Sequence, residues 1–234
     1  DAADTKNEAV ETGNVASDYI RLRQYYVSML EMVDIIHFNS SVSKKVYERY
    51  IHPKNSVVLP ITHRDIRDHR HRKDFHHERL RITYLGPAKP FKGFQFLIGV
   101  LDQIWDEGSQ NFELHLYSET PVSSPYITHK QNGYPYSQLE EIFDATDLLV
   151  VPSQWYETFG FTVLEALSYG VPILVGDKVG AQDLINKEFL FRSEDEIEEK
   201  IKRLSENREM LIDENACIIE EKRYPFNMDS QVLY

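Results

Sequence analysis

Two glutamates, Glu157 and Glu165, enclose a short stretch around Gly160 and carry the clearest chemical potential in the sequence. Carboxylates accept hydrogen bonds from hydroxyl groups, and a carboxylate pair can also act as acid and nucleophile on a glycosidic bond. Glu157 lies in a predicted loop three residues before Gly160, where the backbone can approach a ligand closely. Glu165 fits a structural role equally well, because Thr162 and Glu165 are spaced as a capping box. That geometry aims Glu165 at a helix start and disfavours the acid and nucleophile pair.

A lysine in a second glycine-bounded turn, Lys92, could hold a phosphate. The turn begins with Gly86 and ends with Gly93. A lysine acts on phosphate as a flexible point charge. On these residues alone, an exposed lysine in the first turn of a helix is the favoured alternative.

The glutamates follow a predicted strand and open a predicted helix. Residues 148–151 form an apolar, β-branched-rich block, which is typical of a strand buried on both faces. Residues 163–169 predict a helix with Thr162 as its N-cap and Gly170 just beyond its end.

The lysine turn has the same setting. Residues 81–86 predict a strand before it, and an apolar stripe through residues 94–105 predicts a helix after it. From residue 80 to about residue 193 strands alternate with helices, which is typical of an α/β doubly wound parallel sheet. Such sheets bind ligands outside the carboxyl ends of their strands, so we expect Lys92 and Glu157 to meet there.

The glutamate stretch resembles the signature of a known enzyme family. Two glutamates separated by seven residues, enclosing Phe-Gly-Phe at 159–161 and following Val-Pro-Ser at 151–153, are similar to the signature of the family 4 (group 1) retaining glycosyltransferases. The likeness continues through residues 166–172 and, less strictly, residues 176–183. It implies the GT-B fold of two Rossmann-like domains, of which this chain would supply the C-terminal donor-binding half and a remnant of the N-terminal domain. It also implies retaining transfer of a sugar from a nucleotide-sugar to a glycan or lipid-linked acceptor, without a metal or other cofactor.

The resemblance implies a role for each site residue. Glu157 would bind donor-sugar hydroxyls and take part in catalysis with Lys92, while Glu165 would bind the ribose hydroxyls. Where the family has a second basic residue, an arginine, this sequence has Pro87, and we expect Lys89 to supply the charge. The other expected donor contacts are Gly86, Phe159, Gly160, Phe161, Thr162 and Val163, and the expected nucleobase contacts are Tyr134, Pro135 and Tyr136.

The resemblance divides the chain into three parts. Residues 1–60 would be the tail of the acceptor-side domain, residues 61–79 a linker, and residues 80–234 the nucleotide-sugar-binding domain with its closing helices. Because the GT-B fold needs two domains and the chain has 234 residues, we expect a fragment that is inactive alone. The linker is dense in His and Arg but lacks Cys and a His-Glu-x-x-His pattern, so we expect a solvated segment and no metal site.

Composition excludes several function classes. A formal net charge of -12 argues against a general binder of nucleic acid or of anionic membranes. The single cysteine, Cys217, excludes an internal disulfide and favours a reducing compartment. No apolar run reaches the length of a membrane span. We expect a cytoplasmic location, with peripheral association of the whole protein at the inner face of the membrane as an alternative.

Two other functions stay open. One is a nucleotide-sugar epimerase of the same fold, which the paired glutamates disfavour. The other is a catalytically dead domain that acts only in protein interaction, with Pro87 as a sign of decay. The favoured function is sugar transfer, which we place in polysaccharide biosynthesis by analogy.

Overall fold

The computed structural model describes residues 15–226, which form two parallel sheets flanked by helices. The strands are β1 (Ile36–Phe38), β2 (Ser56–Val58), β3 (Leu80–Tyr84), β4 (Phe112–Leu116), β5 (Ile127–Lys130), β6 (Leu148–Val151), β7 (Ile173–Gly176) and β8 (Leu190–Phe191). The helices are α1 (Val15–Glu31), α2 (Ser41–Tyr47), α3 (Phe94–Asp106), α4 (Leu139–Asp144), α5 (Phe161–Ser168), α6 (Glu194–Glu206) and α7 (Glu209–Glu220).

The main sheet contains six strands in the order β5-β4-β3-β6-β7-β8, and every neighbouring pair is parallel. The chain builds outward from β3 to β5, returns to place β6 beside β3, and then builds outward on the other side. The direction therefore reverses between β3 and β6, and the carboxyl ends of these two strands border the crevice where such sheets bind ligands. The doubly wound parallel fold predicted from the sequence is confirmed.

The strands and helices pack as their apolar patterns predict. Consecutive residues of β6, Leu148 and Leu149, are fully buried, so both faces of this strand are covered. The apolar stripe of α3 lies on the sheet, where Leu97, Leu101 and Ile104 are also fully buried. This continuous core fixes the strand ends from which the site loops emerge.

The start of α5 differs from its prediction. The helix begins at Phe161, two residues earlier than expected, and its N-cap is Gly160 in a left-handed conformation with φ 107°. Thr162 therefore lies inside the first turn, and its predicted role as N-cap is wrong. The capping box with Glu165 does not form, because the two residues no longer occupy the N-cap and N3 positions.

The sequence did not predict one of the strands, β5. Residues 120–133 are polar and include two prolines, which predicts a loop. The structure places β5 (Ile127–Lys130) there, paired in parallel with β4. The strand lies at the edge of the sheet, and three of its four residues are exposed. Its sequence therefore lacks the apolar pattern of a buried strand.

The His- and Arg-rich segment, residues 61–79, contains no helix or strand but is not solvated along its length. Ile66 and Phe75 are almost fully buried in the main core. Lys73 Nζ donates a hydrogen bond of 2.6 Å to the Phe143 carbonyl oxygen. The prediction of a solvated segment is wrong at these positions, because apolar side chains between the charged ones anchor it.

Residues 15–60 form a smaller unit, which we call the N-terminal unit. Its two strands, β1 and β2, pair in parallel. Large apolar side chains of α1 are exposed, among them Tyr19 at 64% and Tyr26 at 49%. Within the described residues, no helix combines the length and apolarity needed to cross a membrane. The predicted division into residues 1–60, 61–79 and 80–234 stays a prediction, and residues 1–14 and 227–234 lie outside the described range.

Candidate functional site

An ion pair lies at the crevice between β3 and β6. Lys92 Nζ donates a hydrogen bond of 2.9 Å to Glu157 Oε1. The side chains are 29% and 14% exposed, so the pair is partly shielded from solvent. The structure thus brings together the two residues that we expected to meet at this edge.

Glu157 is held from both its side chain and its backbone. Ser153 Oγ donates a short hydrogen bond to the same carboxylate oxygen that receives Lys92. The Glu157 N–H donates to the Lys178 carbonyl oxygen at 2.9 Å, and the Gly180 N–H donates to the Glu157 carbonyl oxygen at 3.0 Å. This bridge to the loop after β7 fixes the carboxylate relative to the sheet.

Lys92 is positioned by the next residue, Gly93, and no other residue type fits at this position without movement of the backbone. Gly93 has φ 73°, and a Cβ at this position would lie 1.8 Å from the Pro152 carbonyl oxygen. The turn Pro90–Lys92 therefore packs directly on the end of β6. This contact brings the lysine to the glutamate loop.

A small cavity of about 90 Å³ joins the pair to the start of α5. The first N–H groups of a helix lack partners within the helix, and they face an anion favourably. The cavity is lined by six of the predicted donor-site residues, namely Gly86, Lys92, Glu157, Gly160, Thr162 and Val163. Two others lie beside it in sequence: Phe159 is buried and its carbonyl oxygen accepts a bond of 2.6 Å from the Ala181 N–H, while Phe161 is 37% exposed.

Glu165 lies in a separate, more aromatic environment. Its side chain is 14% exposed, and His63 Nε2 approaches Glu165 Oε1 at 3.8 Å. Burial raises the pKa of Glu165. Burial, with the nearby Glu165 charge, raises the pKa values of Tyr134 and Tyr136 to about 12. The structure thus places Glu165 near two of the three predicted nucleobase residues, and Pro135 joins them as the N-cap of the turn Tyr136–Gln138.

A cleft of about 450 Å³ extends from this region along the lysine turn. Its walls include Pro87, Lys89, Tyr117, Glu119 and Tyr134. Lys89 therefore lines the same cleft as Pro87, and its role as a substitute charge stays a prediction. A larger cavity of about 670 Å³ lies at the β8 side of the sheet among Lys187, Arg192 and Arg203, and it contains no predicted site residue.

Sequence reasoning missed three residues that contact the site. Ser153 bonds to Glu157, His63 approaches Glu165, and the exposed Trp155 ring lies 6.0 Å from Lys92 Nζ. Ser153 and Trp155 lie within the signature stretch, so their proximity to Glu157 could have been inferred. His63 gave no such signal, because its contact depends on the path of the segment after β2. In residues 15–226 no group of three or more His, Cys, Asp or Glu side chains is arranged to hold a metal ion.

The sequence is similar to that of known proteins. A curated relative from Klebsiella pneumoniae, named an uncharacterized 41.2 kDa protein in the cps region, is 27% identical over 114 residues, which is 47% of this chain and 31% of the relative. The alignment thus spans about a third of that relative's length.

Two solved structures show the same fold. Sucrose-phosphate synthase from Thermosynechococcus elongatus has a TM-score of 0.68 at 17% identity, covering 89% of this chain and 58% of that one. Anabaena HepE, solved in complex with UDP and glucose, has a TM-score of 0.64 at 17% identity, covering 89% and 64%. Residues 65–222, more than half of the chain, match the profile described as Glycosyl transferases group 1. The chain belongs to this glycosyltransferase family and has the Rossmann-like, GT-B type of fold.

Proposed function

We propose that the chain is the donor-binding part of a nucleotide-sugar-dependent, retaining glycosyltransferase. The observation that carries the proposal is the Lys92–Glu157 pair, with 2.9 Å between Nζ and Oε1, at the switch point of the sheet. It places a cation suited to phosphate beside a carboxylate suited to sugar hydroxyls. A nucleotide-sugar presents those two groups next to each other.

The geometry supports one orientation of the donor. The diphosphate would lie against Lys92, Lys89 and the first turn of α5, and the sugar would lie against Glu157. Glu165 would accept hydrogen bonds from the ribose, and the base would lie near residues 134–136. The Anabaena relative of this fold was solved with UDP and glucose, which supports a donor of this chemical class.

This arrangement can assist bond cleavage by electrostatics. As the bond from the anomeric carbon to the diphosphate breaks, negative charge develops on the leaving phosphate oxygen. The Lys92 ammonium group and the N–H groups at the start of α5 would stabilise that charge without reorganisation. Glu157 would hold the sugar by hydrogen bonds while the acceptor attacks from the face that the diphosphate leaves, which retains the configuration. No step in this scheme assigns a role to a metal ion.

The acceptor is proposed to be a glycan or a lipid-linked sugar, bound on the side of the N-terminal unit. In this proposal residues 80–234 bind the donor, and the chain alone binds it without efficient transfer. A role in polysaccharide biosynthesis is supported by the relative in the cps region of Klebsiella pneumoniae. We place the reaction in the cytoplasm, with the inner face of the membrane as the alternative.

Calorimetric titration with UDP, GDP and ADP tests the proposal. We expect one nucleotide to bind, and we expect Lys92→Ala and Glu165→Ala each to weaken that binding. Lys54→Ala is the matched control, because Lys54 is exposed in the N-terminal unit. Binding of none of the three nucleotides would contradict the proposal and favour a domain that acts only in protein interaction.

A further inference from the structure

The N-terminal unit contacts the glutamate loop through the residues that open α2. Ser40 Oγ donates a hydrogen bond of 2.6 Å to the Thr158 carbonyl oxygen. The Ser41 N–H donates a bond of 2.6 Å to Asp183 Oδ2, and Ser41 Oγ donates a second, short bond to Asp183 Oδ1. Both partners, Thr158 and Asp183, belong to the part of the chain that forms the six-stranded sheet, more than a hundred residues further along.

The two units are closely packed around Ser40. Ser40 is fully buried, and its Oγ also accepts a bond of 3.0 Å from the Ser43 N–H. A Cβ on Gly180 would lie 2.2 Å from the Thr158 carbonyl oxygen and 2.5 Å from Ser40 Oγ. Any side chain at position 180 would therefore separate the units, so the close approach depends on this glycine.

The N-terminal unit contacts the residue before Glu157 and the residue after it. Thr158 accepts the bond from Ser40, while the Arg49 guanidinium group, just beyond α2, lies 5.4 Å from the centroid of the Tyr156 ring. The Gly180 N–H also donates a hydrogen bond of 3.0 Å to the Glu157 carbonyl oxygen. The loop that carries the carboxylate thus contacts both the N-terminal unit and the loop after β7.

We propose that Ser40, Ser41 and Asp183 are positioning residues that set the carboxylate of Glu157 for the sugar of the donor. We call these three residues the serine–aspartate clamp. The inference rests on the proposed function and deepens it. The clamp contacts Thr158, the residue after Glu157, and joins α2 to the loop containing Asp183. The diphosphate and base are assigned to the lysine turn, the first turn of α5, Glu165 and residues 134–136. Loss of the clamp is therefore expected to weaken recognition of the sugar more than recognition of the nucleotide.

The test compares two ligands that differ only in the sugar. The protein is titrated calorimetrically with UDP and UDP-glucose, or with the equivalent pair for whichever base the unmodified protein binds. Asp183→Ala and Ser40→Ala are expected to lower the affinity for the nucleotide-sugar, relative to that for the diphosphate, by on the order of tenfold, because a displaced contact group loses most of its binding energy. Asp183→Asn keeps the size of the side chain and is expected to show a smaller change in the same direction.

The controls separate this role from a purely structural one. Asp213→Ala removes an exposed carboxylate on α7, and Ser28→Ala removes an exposed hydroxyl on α1; neither is expected to change the ratio of affinities. Lower stability of the clamp variants with an unchanged ratio would overturn the inference, as would an equal loss for both ligands. Failure of the unmodified protein to bind either ligand would instead refute the proposed function, and this inference with it.

Discussion

Lys92 Nζ lies 2.9 Å from Glu157 Oε1, although the two residues are 65 positions apart in the chain. One comes from the loop after β3 and the other from the loop after β6, so the pair spans the point where the sheet reverses direction. In the free protein the lysine charge is neutralised by the carboxylate. A diphosphate that binds here must replace that carboxylate as the partner of Lys92, which leaves Glu157 available for hydroxyl groups.

Lys92→Ala is expected to weaken binding of a nucleoside diphosphate by about tenfold or more, since a charge-assisted contact to phosphate contributes about 1.5–3 kcal/mol. Binding of the nucleoside without phosphates should be unchanged, because the lysine is assigned to the diphosphate alone. Calorimetry with UDP and uridine measures both effects. Equal losses for the two ligands would show that the substitution disturbs the whole site.

Gly93→Ala is expected to destabilise the fold, because the new Cβ would lie 1.8 Å from the Pro152 carbonyl oxygen and the residue has φ 73°. The expected loss in the free energy of unfolding is about 1–3 kcal/mol or more. Gly99→Ala is the matched control. Gly99 lies within α3 with open space around it, so the substitution should stabilise the protein by about 0.5–1 kcal/mol. Urea denaturation measures both; a stable Gly93→Ala variant would contradict the close packing of the lysine turn.

Glu165→Gln is expected to raise stability at pH 7. Burial raises the pKa of Glu165 above its ordinary value of 4.5. The folded state then binds the proton more tightly than the unfolded chain, so the stability contributed by this group is complete below 4.5 and is lost as the pH rises through the higher value. Glutamine stays neutral and avoids that loss.

The measurement for Glu165→Gln is urea denaturation across a pH series, with Glu220→Gln as the control at an exposed position on α7. The stability gained by Glu165→Gln should shrink as the pH falls towards 4.5, where the native carboxyl group is itself protonated. The same variant should bind nucleotide more weakly at pH 7. A gain in stability that does not depend on pH would show that burial of charge is not its cause.

Phe75→Ala is expected to cost about 3–5 kcal/mol of stability, as for a large side chain removed from a core. Phe75 is 1% exposed, although it lies in the His- and Arg-rich segment. His76→Ala, at the exposed neighbouring position, should change stability by less than about 0.5 kcal/mol. Thermal unfolding of the two variants checks this. A small effect of Phe75→Ala would mean that the segment is a solvated linker that adds little to the core.

Much of the fold could be predicted because the signals were local. The apolar block of β6 and the stripe of α3 identify buried elements from their own residues. The rule that parallel sheets bind ligands at the carboxyl ends of strands then places Lys92 and Glu157 at one edge. Their direct ion pair was not predicted, because it depends on the contact between Gly93 and Pro152.

The errors have tertiary causes. The capping signal at Thr162 was overridden because Gly160, which packs on Val179, adopts the left-handed conformation and starts the helix two residues earlier. The approach of His63 to Glu165 joins residues about a hundred positions apart, and no spacing pattern reports such a contact. The strand β5 was missed because its residues are mostly exposed and polar.

The composition of β5 bears on the solubility of the protein. An open edge strand presents unpaired N–H and C=O groups that can recruit another chain and start aggregation. In β5 the outer residues include the exposed His129 and Lys130, and a charged edge strand disfavours such pairing. Within residues 15–226 the opposite edge is β8, which is only two residues long. Both edges of the sheet therefore disfavour self-association, because β5 carries a charged residue and β8 is short.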